Sequence, residues 1–276
     1  MLRRWTVPIT IAALSLGSLF AASGTAAAAP AAHHPGTTLT RPGGAVKGFS
    51  PGGAMIRAGN RTLSRGRFSE AESSNWSGYA QTGSNGAFSS VSASWTQPTA
   101  HCTSRQDQYA AFWVGLDGYN SDSVEQTGSD SDCAGTTPDY YGWYEMYPAN
   151  PVYYTNPVEP GDSMSASVTF SGTETYTLVL TDHTRNWTQK QVINESGLDR
   201  SSAEVITEAP CCTASGGILP LSDFGTVNYT GATGSGTFTN SNATEIIMVD
   251  TRGRQEDSTS SITGSGNFSN TWIRSN

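Results

Sequence analysis

Carboxyl and amide side chains, rather than histidines or thiols, recur beside aromatic residues in this chain. Along 109–117, period-two alternation puts Trp113 and Asp117 on one face and Phe112, Val114 and Leu116 on the other. Along 140–147, Tyr141, Trp143, Glu145 and Tyr147 share a side opposite Tyr140, Tyr144 and Met146. Along 203–209, Glu204, Ile206 and Glu208 align against Ala203, Val205, Thr207 and Ala209. Three strands that each carry a carboxylate, two of them beside a tryptophan, imply a lined groove; the plain alternative is a solvated face with occasional large residues. Carboxylates can do general acid-base work, and a side-chain amide such as that of Gln126 can hold a water and donate N–H to an oxyanion. Several other chemistries are excluded: there is no GxSxG, HExxH or GxxxxGK, and no GxGxxG between a strand and a helix. Past residue 70 the histidines are His101 and His183, which share no ligand spacing and have no serine in a recognisable triad setting, which argues against a zinc site and a Ser-His-Asp triad.

The elements that must position these residues read as strands. In 162–172, Met164, Ala166, Val168 and Phe170 fall on one face with Ser and Thr opposite, and in 175–182 Tyr176, Leu178 and Leu180 do the same. Further short runs lie at 88–96, 109–117, 140–147, 203–209, 225–230, 235–239, 244–250 and 262–273. Clusters of Gly, Pro, Asn, Ser and Asp separate them, and no amphipathic helix exceeds a turn or two. This pattern predicts an all-β fold, an antiparallel β-sandwich or barrel with large sheets.

Charge divides the chain. Residues 1–70 hold eight Lys and Arg against one acid, a balance of +7, whereas 71–276 hold seven against 22, a balance of −15. Arg3 and Arg4, an apolar run from Val7 to about Phe20 and the small residues Ala26-Ala27-Ala28 predict a signal peptide over 1–28 and a secreted, extracellular protein. The run is shorter than the roughly 20 apolar residues of a spanning helix, so no membrane association is expected after processing. Residues 29–70, basic and poor in aromatics, predict a disordered propeptide or linker, and their charge, opposite to that of the 71–276 β-sandwich domain, favours a propeptide that docks on it. The acidic body argues against nucleic-acid binding, and a monomer is expected. Cys102, Cys133, Cys211 and Cys212 allow three disulfide connectivities; Cys102–Cys133 with Cys211–Cys212 is the expected one.

Six segments then occur in order: Ser74-Asn75-Trp76-Ser77-Gly78-Tyr79, Val91-Ser92-Ala93-Ser94-Trp95, Trp113-Val114-Gly115-Leu116-Asp117-Gly118, Glu125-Gln126-Thr127-Gly128, Trp143-Tyr144-Glu145-Met146-Tyr147-Pro148 and Ala203-Glu204-Val205-Ile206-Thr207-Glu208. Together they resemble the glutamic peptidases, or eqolisins, in a bacterial version, over about Asn75 to Glu208. The resemblance implies a secreted endopeptidase acting on polypeptides in acid, built as an antiparallel β-sandwich of two large sheets, a concanavalin-like jelly roll, with no metal or other cofactor and with a catalytic pair that matches Gln126 and Glu208. It also implies substrate contacts from Trp76, Trp113, Trp143, Asp117, Glu145 and Glu204. Thr207 and the Ala209-Pro210-Cys211-Cys212 continuation depart from the fungal pattern. The physical case for the pair is independent of the resemblance: amide hydrolysis needs an activated water, a stabilised oxyanion and a proton for the leaving nitrogen, and a glutamate with a glutamine supplies all three.

Each residue has a simpler role available. Gln126 in a hairpin could bond backbone, Glu208 could be a solvated strand end, and Trp113 and Trp143 could be core residues. Two rivals use the same side chains: a glycoside hydrolase with a carboxylate pair such as Glu145 and Glu204, and a lectin-like module whose aromatics stack on sugars.

Overall fold

The computed structural model describes residues 38–41, 44–47, 53–65, 68–211 and 217–275. In chain order the strands are β1 (Thr38–Arg41), β2 (Gly44–Lys47), β3 (Arg57–Arg65), β4 (Phe68–Ser73), β5 (Trp76–Thr82), β6 (Ser90–Thr96), β7 (Ala111–Leu116), β8 (Val124–Ala134), β9 (Thr137–Tyr147) and β10 (Val152–Tyr153). They continue as β11 (Ser163–Phe170), β12 (Thr175–Asp182), β13 (Trp187–Asn194), β14 (Ser202–Glu208), β15 (Thr226–Gly234), β16 (Gly236–Thr237), β17 (Thr244–Met248), β18 (Asp257–Thr259) and β19 (Phe268–Trp272). One large sheet has the order β10-β9-β8-β7-β14-β5-β17-β4-β3, and the other β13-β12-β11-β6-β15-β19-β18 with β16 on β15. The fold is the expected all-β sandwich of two large, antiparallel-dominated sheets. Among the named strands described, β4 runs parallel to β17, with Glu70 to Ser73 opposite Glu245 to Met248.

The main core lies between the sheets. Phe112, Val114, Leu116, Ala203 and Val205 of the first sheet pack with Trp95, Met164, Val168, Leu178, Leu180 and Tyr229 of the second. A smaller apolar cluster occupies the other face of the first sheet and contains Trp76, Trp113, Trp143, Tyr141, Ile206 and Ile246. The alternation along β7, β9 and β14 therefore sorts as the sequence predicts, one parity to each cluster.

β8 escaped the strand reading altogether, for a physical reason. Thr127, Ser129 and Ser131 face the main core, where a hydrophobic pattern would be expected. They are tolerated there because Thr127 Oγ1 donates to Trp143 O (2.7 Å), Ser129 Oγ to Gln97 Oε1 (2.5 Å) and Ser131 Oγ to Pro98 O (2.8 Å). β13 was missed for the opposite reason, being an edge strand whose residues are all at least partly exposed.

The stretch expected as a disordered propeptide or linker contributes strands. β1 pairs with β2, and β3 with β4 forms the end of the nine-stranded sheet, so the domain boundary placed at residue 71 falls inside β4. An unpaired sheet edge recruits backbone, and β17 offers one to β4. The signal peptide, residues 1–28, lies outside the described residues. Cys102 and Cys133 are bonded as expected, and Cys211 is also disulfide-bonded, while Cys212 lies outside the described residues.

Close approach of β7 and β8 has no room for a side chain at Gly128, where a Cβ would lie 2.2 Å from Phe112 O and 2.5 Å from Trp113 Cβ. Gly128→Ala is expected to lower the unfolding free energy by about 2 kcal/mol or more, read as a lower urea midpoint with unchanged slope.

Candidate active site

The strand register lays out the outer face of the first sheet in three rows. Glu145, Gln126, Gly115, Glu204 and Ala80 form one, running β9-β8-β7-β14-β5. Trp143, Gly128, Trp113, Ile206 and Gly78 form the next, and Tyr141, Asp130, Ala111, Glu208 and Trp76 the third. Each row includes Gly or Ala beside its large residues, which is how three indoles fit on one face. A Cβ on Gly115 would meet Trp113 Cζ3 at 2.7 Å, and one on Gly118 would meet Trp76 Cη2 at 2.9 Å. Trp76 and Trp113 pack edge to face with centroids 4.9 Å apart.

Glu208 ends β14 with its side chain wholly buried. Its Oε2 accepts the Trp113 indole N–H at 3.0 Å and the Gly53 backbone N–H at 3.3 Å, and its Oε1 accepts Asn75 Nδ2 at 3.0 Å. Burial pushes its pKa well above the usual glutamate range, the Glu145 charge adds to this, and the donors from Asn75, Trp113 and Gly53 oppose it. Gln126, also buried, donates Nε2–H to Glu145 Oε2 at 3.1 Å, while its Oε1 has no hydrogen-bond partner. One amide N–H and the amide oxygen of Gln126 thus remain for a ligand.

Gln126 and Glu208 share this face but are not hydrogen-bonded to each other. Glu208 lies four residues along β14 from Glu204, the residue level with Gln126. The Trp113 indole spans this diagonal, its Nε1 on Glu208 and its far ring edge over Gly115. Trp143 is fixed by its indole N–H on Asp130 Oδ1 (2.6 Å), and Tyr141 OH lies between Asp130 Oδ2 (2.8 Å) and Asp132 Oδ2 (2.7 Å), with its one proton to give to either.

Of the other expected site residues, Trp76, Trp113, Trp143 and Glu145 are brought together around this pair. Asp117 is not: with φ of 71° at the end of β7, its carboxylate takes Arg200 N–H (2.6 Å), Ser201 N–H (2.8 Å) and Ser201 Oγ (3.1 Å), so it secures the loop before β14. Glu204 is buried with neither oxygen in hydrogen-bond geometry. Burial, reinforced by Asp117 and Glu125 and opposed by the adjacent Ser202 hydroxyl, holds its pKa well above normal. Sequence reasoning missed Asn75, Asp130 and Gly53. Asn75 stands in the first of the six segments, next to Trp76, and that adjacency was its signal; Gly53 had none. Among the described residues no group of three or more His, Cys, Asp and Glu side chains is placed to hold a metal ion.

Residues 53–57 lie against this face. Ala54 and Met55 pack on the tryptophan cluster, Met55 N–H donates to Gly118 O (3.0 Å), and Ile56 N–H donates to Asn75 Oδ1 (2.7 Å). Arg57 lies over the Tyr119 ring, 4.7 Å from its centroid, and donates to Asn120 Oδ1 at 2.6 Å.

A buried carboxyl held by N–H donors, a side-chain amide on the same sheet and tryptophan walls define a hydrolase of the carboxyl type on a β-sandwich. The Peptidase A4 family matches residues 74–272, and the chain belongs to that family, the eqolisins, as a glutamic-type peptidase. Among solved structures, scytalido-glutamic peptidase with a transition state analog inhibitor is 26% identical, covering 72% of this chain and 98% of its own with a TM-score of 0.63. SCP-B, an eqolisin in a complex with the tripeptide Ala-Ile-His, is 24% identical over 72% of this chain and 98% of that one, with a TM-score of 0.60. Aspergilloglutamic peptidase from Aspergillus niger is 21% identical over 60% and 99%, with a TM-score of 0.50. The last two share the fold. No curated protein sequence matches. Family membership removes the glycoside hydrolase and lectin-like alternatives.

The buried acids set the pH dependence of stability. Burial first, then neighbouring acids, raises Glu256 to about 7, and burial, opposed by Ser77 and Asn270, raises Asp257 to about 7. Glu125, Glu204 and Glu208 are shifted in the same direction. A carboxyl whose folded pKa exceeds its unfolded value, about 4, binds more protons folded than unfolded. For Glu256 and Asp257 that contribution is complete below about pH 4 and is lost as pH rises through about 7. Thermal melts are expected to show a higher Tm at pH 4 than at pH 8, and Asp257→Asn should flatten that difference.

Proposed function

We propose that this glutamic endopeptidase works in acid outside the cell, with Glu208 as general base and acid and Gln126 as oxyanion donor. The observation that carries the reading is the Glu208 carboxyl, buried on the sheet face and held in place by the Trp113 indole and the Asn75 amide. In the reaction, Glu208 takes a proton from a water as the water oxygen bonds the scissile carbonyl carbon. The oxygen of that carbonyl gains negative charge and receives the free N–H of Gln126, whose other N–H is anchored on Glu145. The protonated Glu208 then gives its proton to the amide nitrogen, the C–N bond breaks, and a carboxylic acid and an amine leave. Trp76, Trp113 and Trp143 wall the polypeptide's path, and Glu145 acts through Gln126. Glu204, two rows away from Glu208 and level with Gln126, adds a buried carboxyl to the same face.

Residues 1–28 direct export, and residues 29–70 are the propeptide of a monomeric enzyme. Contact of residues 53–57 with Glu208 and the tryptophans supports the second part, because a segment there excludes any other chain. Their departure also returns solvent to Glu208. The main cause of its raised pKa is thereby relieved, and ionisation in mildly acidic medium follows.

Glu208→Gln and Gln126→Ala test the assignment on an unfolded protein substrate at acidic pH, after each variant is shown to be folded. Expected losses are about 10³-fold or more for the first and about 10²- to 10³-fold for the second. Cleavage at near the unsubstituted rate by Glu208→Gln would remove the proposed base.

A further inference from the structure

Resting on the reading of Glu208 as the base, we propose that Asn75 is a positioning residue that reads the main chain of the polypeptide in the cleft while orienting the Glu208 carboxyl. Asn75 is wholly buried immediately before β5, and both ends of its amide are in use. Nδ2 donates to Glu208 Oε1 at 3.0 Å and to the Ala54 carbonyl at 3.2 Å. Oδ1 accepts the Ile56 N–H at 2.7 Å and the Ser73 hydroxyl at 3.0 Å. On the other side of the same segment, Met55 N–H donates to Gly118 O at 3.0 Å. Residues 54–56 are thus gripped alternately from left and right, as a strand is between two neighbours, with Asn75 standing in for one of them. Every one of these contacts on residues 53–56 goes to main-chain N–H or C=O, so any extended polypeptide can make them. The residue preceding the gripped stretch, Gly53, is the one whose N–H reaches Glu208 at 3.3 Å, so the clamp places a peptide unit against the carboxyl.

This geometry assigns Asn75 two separable effects. As the donor to Glu208 Oε1 it favours the ionised carboxyl, and its removal raises the carboxyl's pKa. As a main-chain clamp it acts on the three residues next to the one over Glu208, and so only on substrates long enough to supply them. A residue that merely held the strand together would affect long and short substrates alike.

The test compares Asn75→Ala and Asn75→Asp with the unsubstituted protein, each made as the full chain and assayed after acid activation has displaced residues 53–57 from the site, using one peptide that extends at least four residues on both sides of the scissile bond and truncated versions ending one residue beyond it on either side. Two ordinary hydrogen bonds correspond to about a tenfold effect. The ratio of kcat/KM for the long peptide to that for the peptide lacking the gripped side is expected to fall about tenfold in Asn75→Ala, chiefly through KM. The rising limb of the pH profile, which follows ionisation of Glu208, is expected to move to higher pH. Asn75→Asp keeps the shape and the Oδ1 acceptor and places a second acid beside Glu208, so its limb should move at least as far even if the alanine variant folds poorly. An unchanged length ratio and an unmoved limb, in a preparation where Glu208→Gln is inactive, overturn the role of Asn75 and leave the base assignment standing. Retained activity in Glu208→Gln overturns both, and the two failures are thereby distinct.

Discussion

A carboxyl group taken out of water is the constraint around which the nine-stranded sheet is organised. An isolated buried carboxylate is costly by several kcal/mol even after relaxation, and Glu208 meets that cost with N–H donors from an indole, an amide and a main chain. Each donor imposes its own requirement. The Trp113 ring must lie along the sheet, so Gly115 and Gly128 must be bare beside it. The Asn75 amide must face the end of β14, and its turn is fixed by Ser73, whose hydroxyl bonds both the Asn75 amide oxygen and the main chain that leads into β5.

The same economy of polar groups explains the inner face of this sheet. β8 must deliver Gln126 and Asp130 to the outer face, so its alternate residues point into the core between the sheets. Those residues are Thr and Ser, each with a hydroxyl satisfied by a neighbouring carbonyl or amide, rather than Val or Ile. Main-chain and hydroxyl hydrogen bonds there lock β8 against β9 and against the segment after β6. A slip of one residue would send Gln126 into the core.

Much of this was readable in the chain. The parity of β7, β9 and β14 was plain because each has an apolar side for the main core, and that side fixes where the other points. The Gln126 and Glu208 motifs stood out through the six segments in register rather than through any one residue. β8 was illegible because its core-facing side is polar, and period-two hydrophobicity is the signal by which strands are recognised. Asp117 shows the limit of parity: it shares a face with Trp113 in the extended pattern, but a left-handed φ at that residue turns the chain, and the carboxylate goes to the Arg200–Ser201 backbone instead.

The sequence by itself determined an all-β fold, the face on which each strand's residues lie, and a chemistry of carboxylate and amide, because these follow from side-chain type and a period of two. Only the tertiary structure decided which carboxyl is held by which donors, that β8 belongs between β7 and β9, and that residues 53–57 lie against Glu208. Those contacts join positions as far apart as Gly53 and Glu208, 155 residues in sequence. Their energy comes from desolvation and hydrogen-bond geometry between strands that are neighbours only after the sheet has formed, and no local pattern encodes which strand will stand beside which.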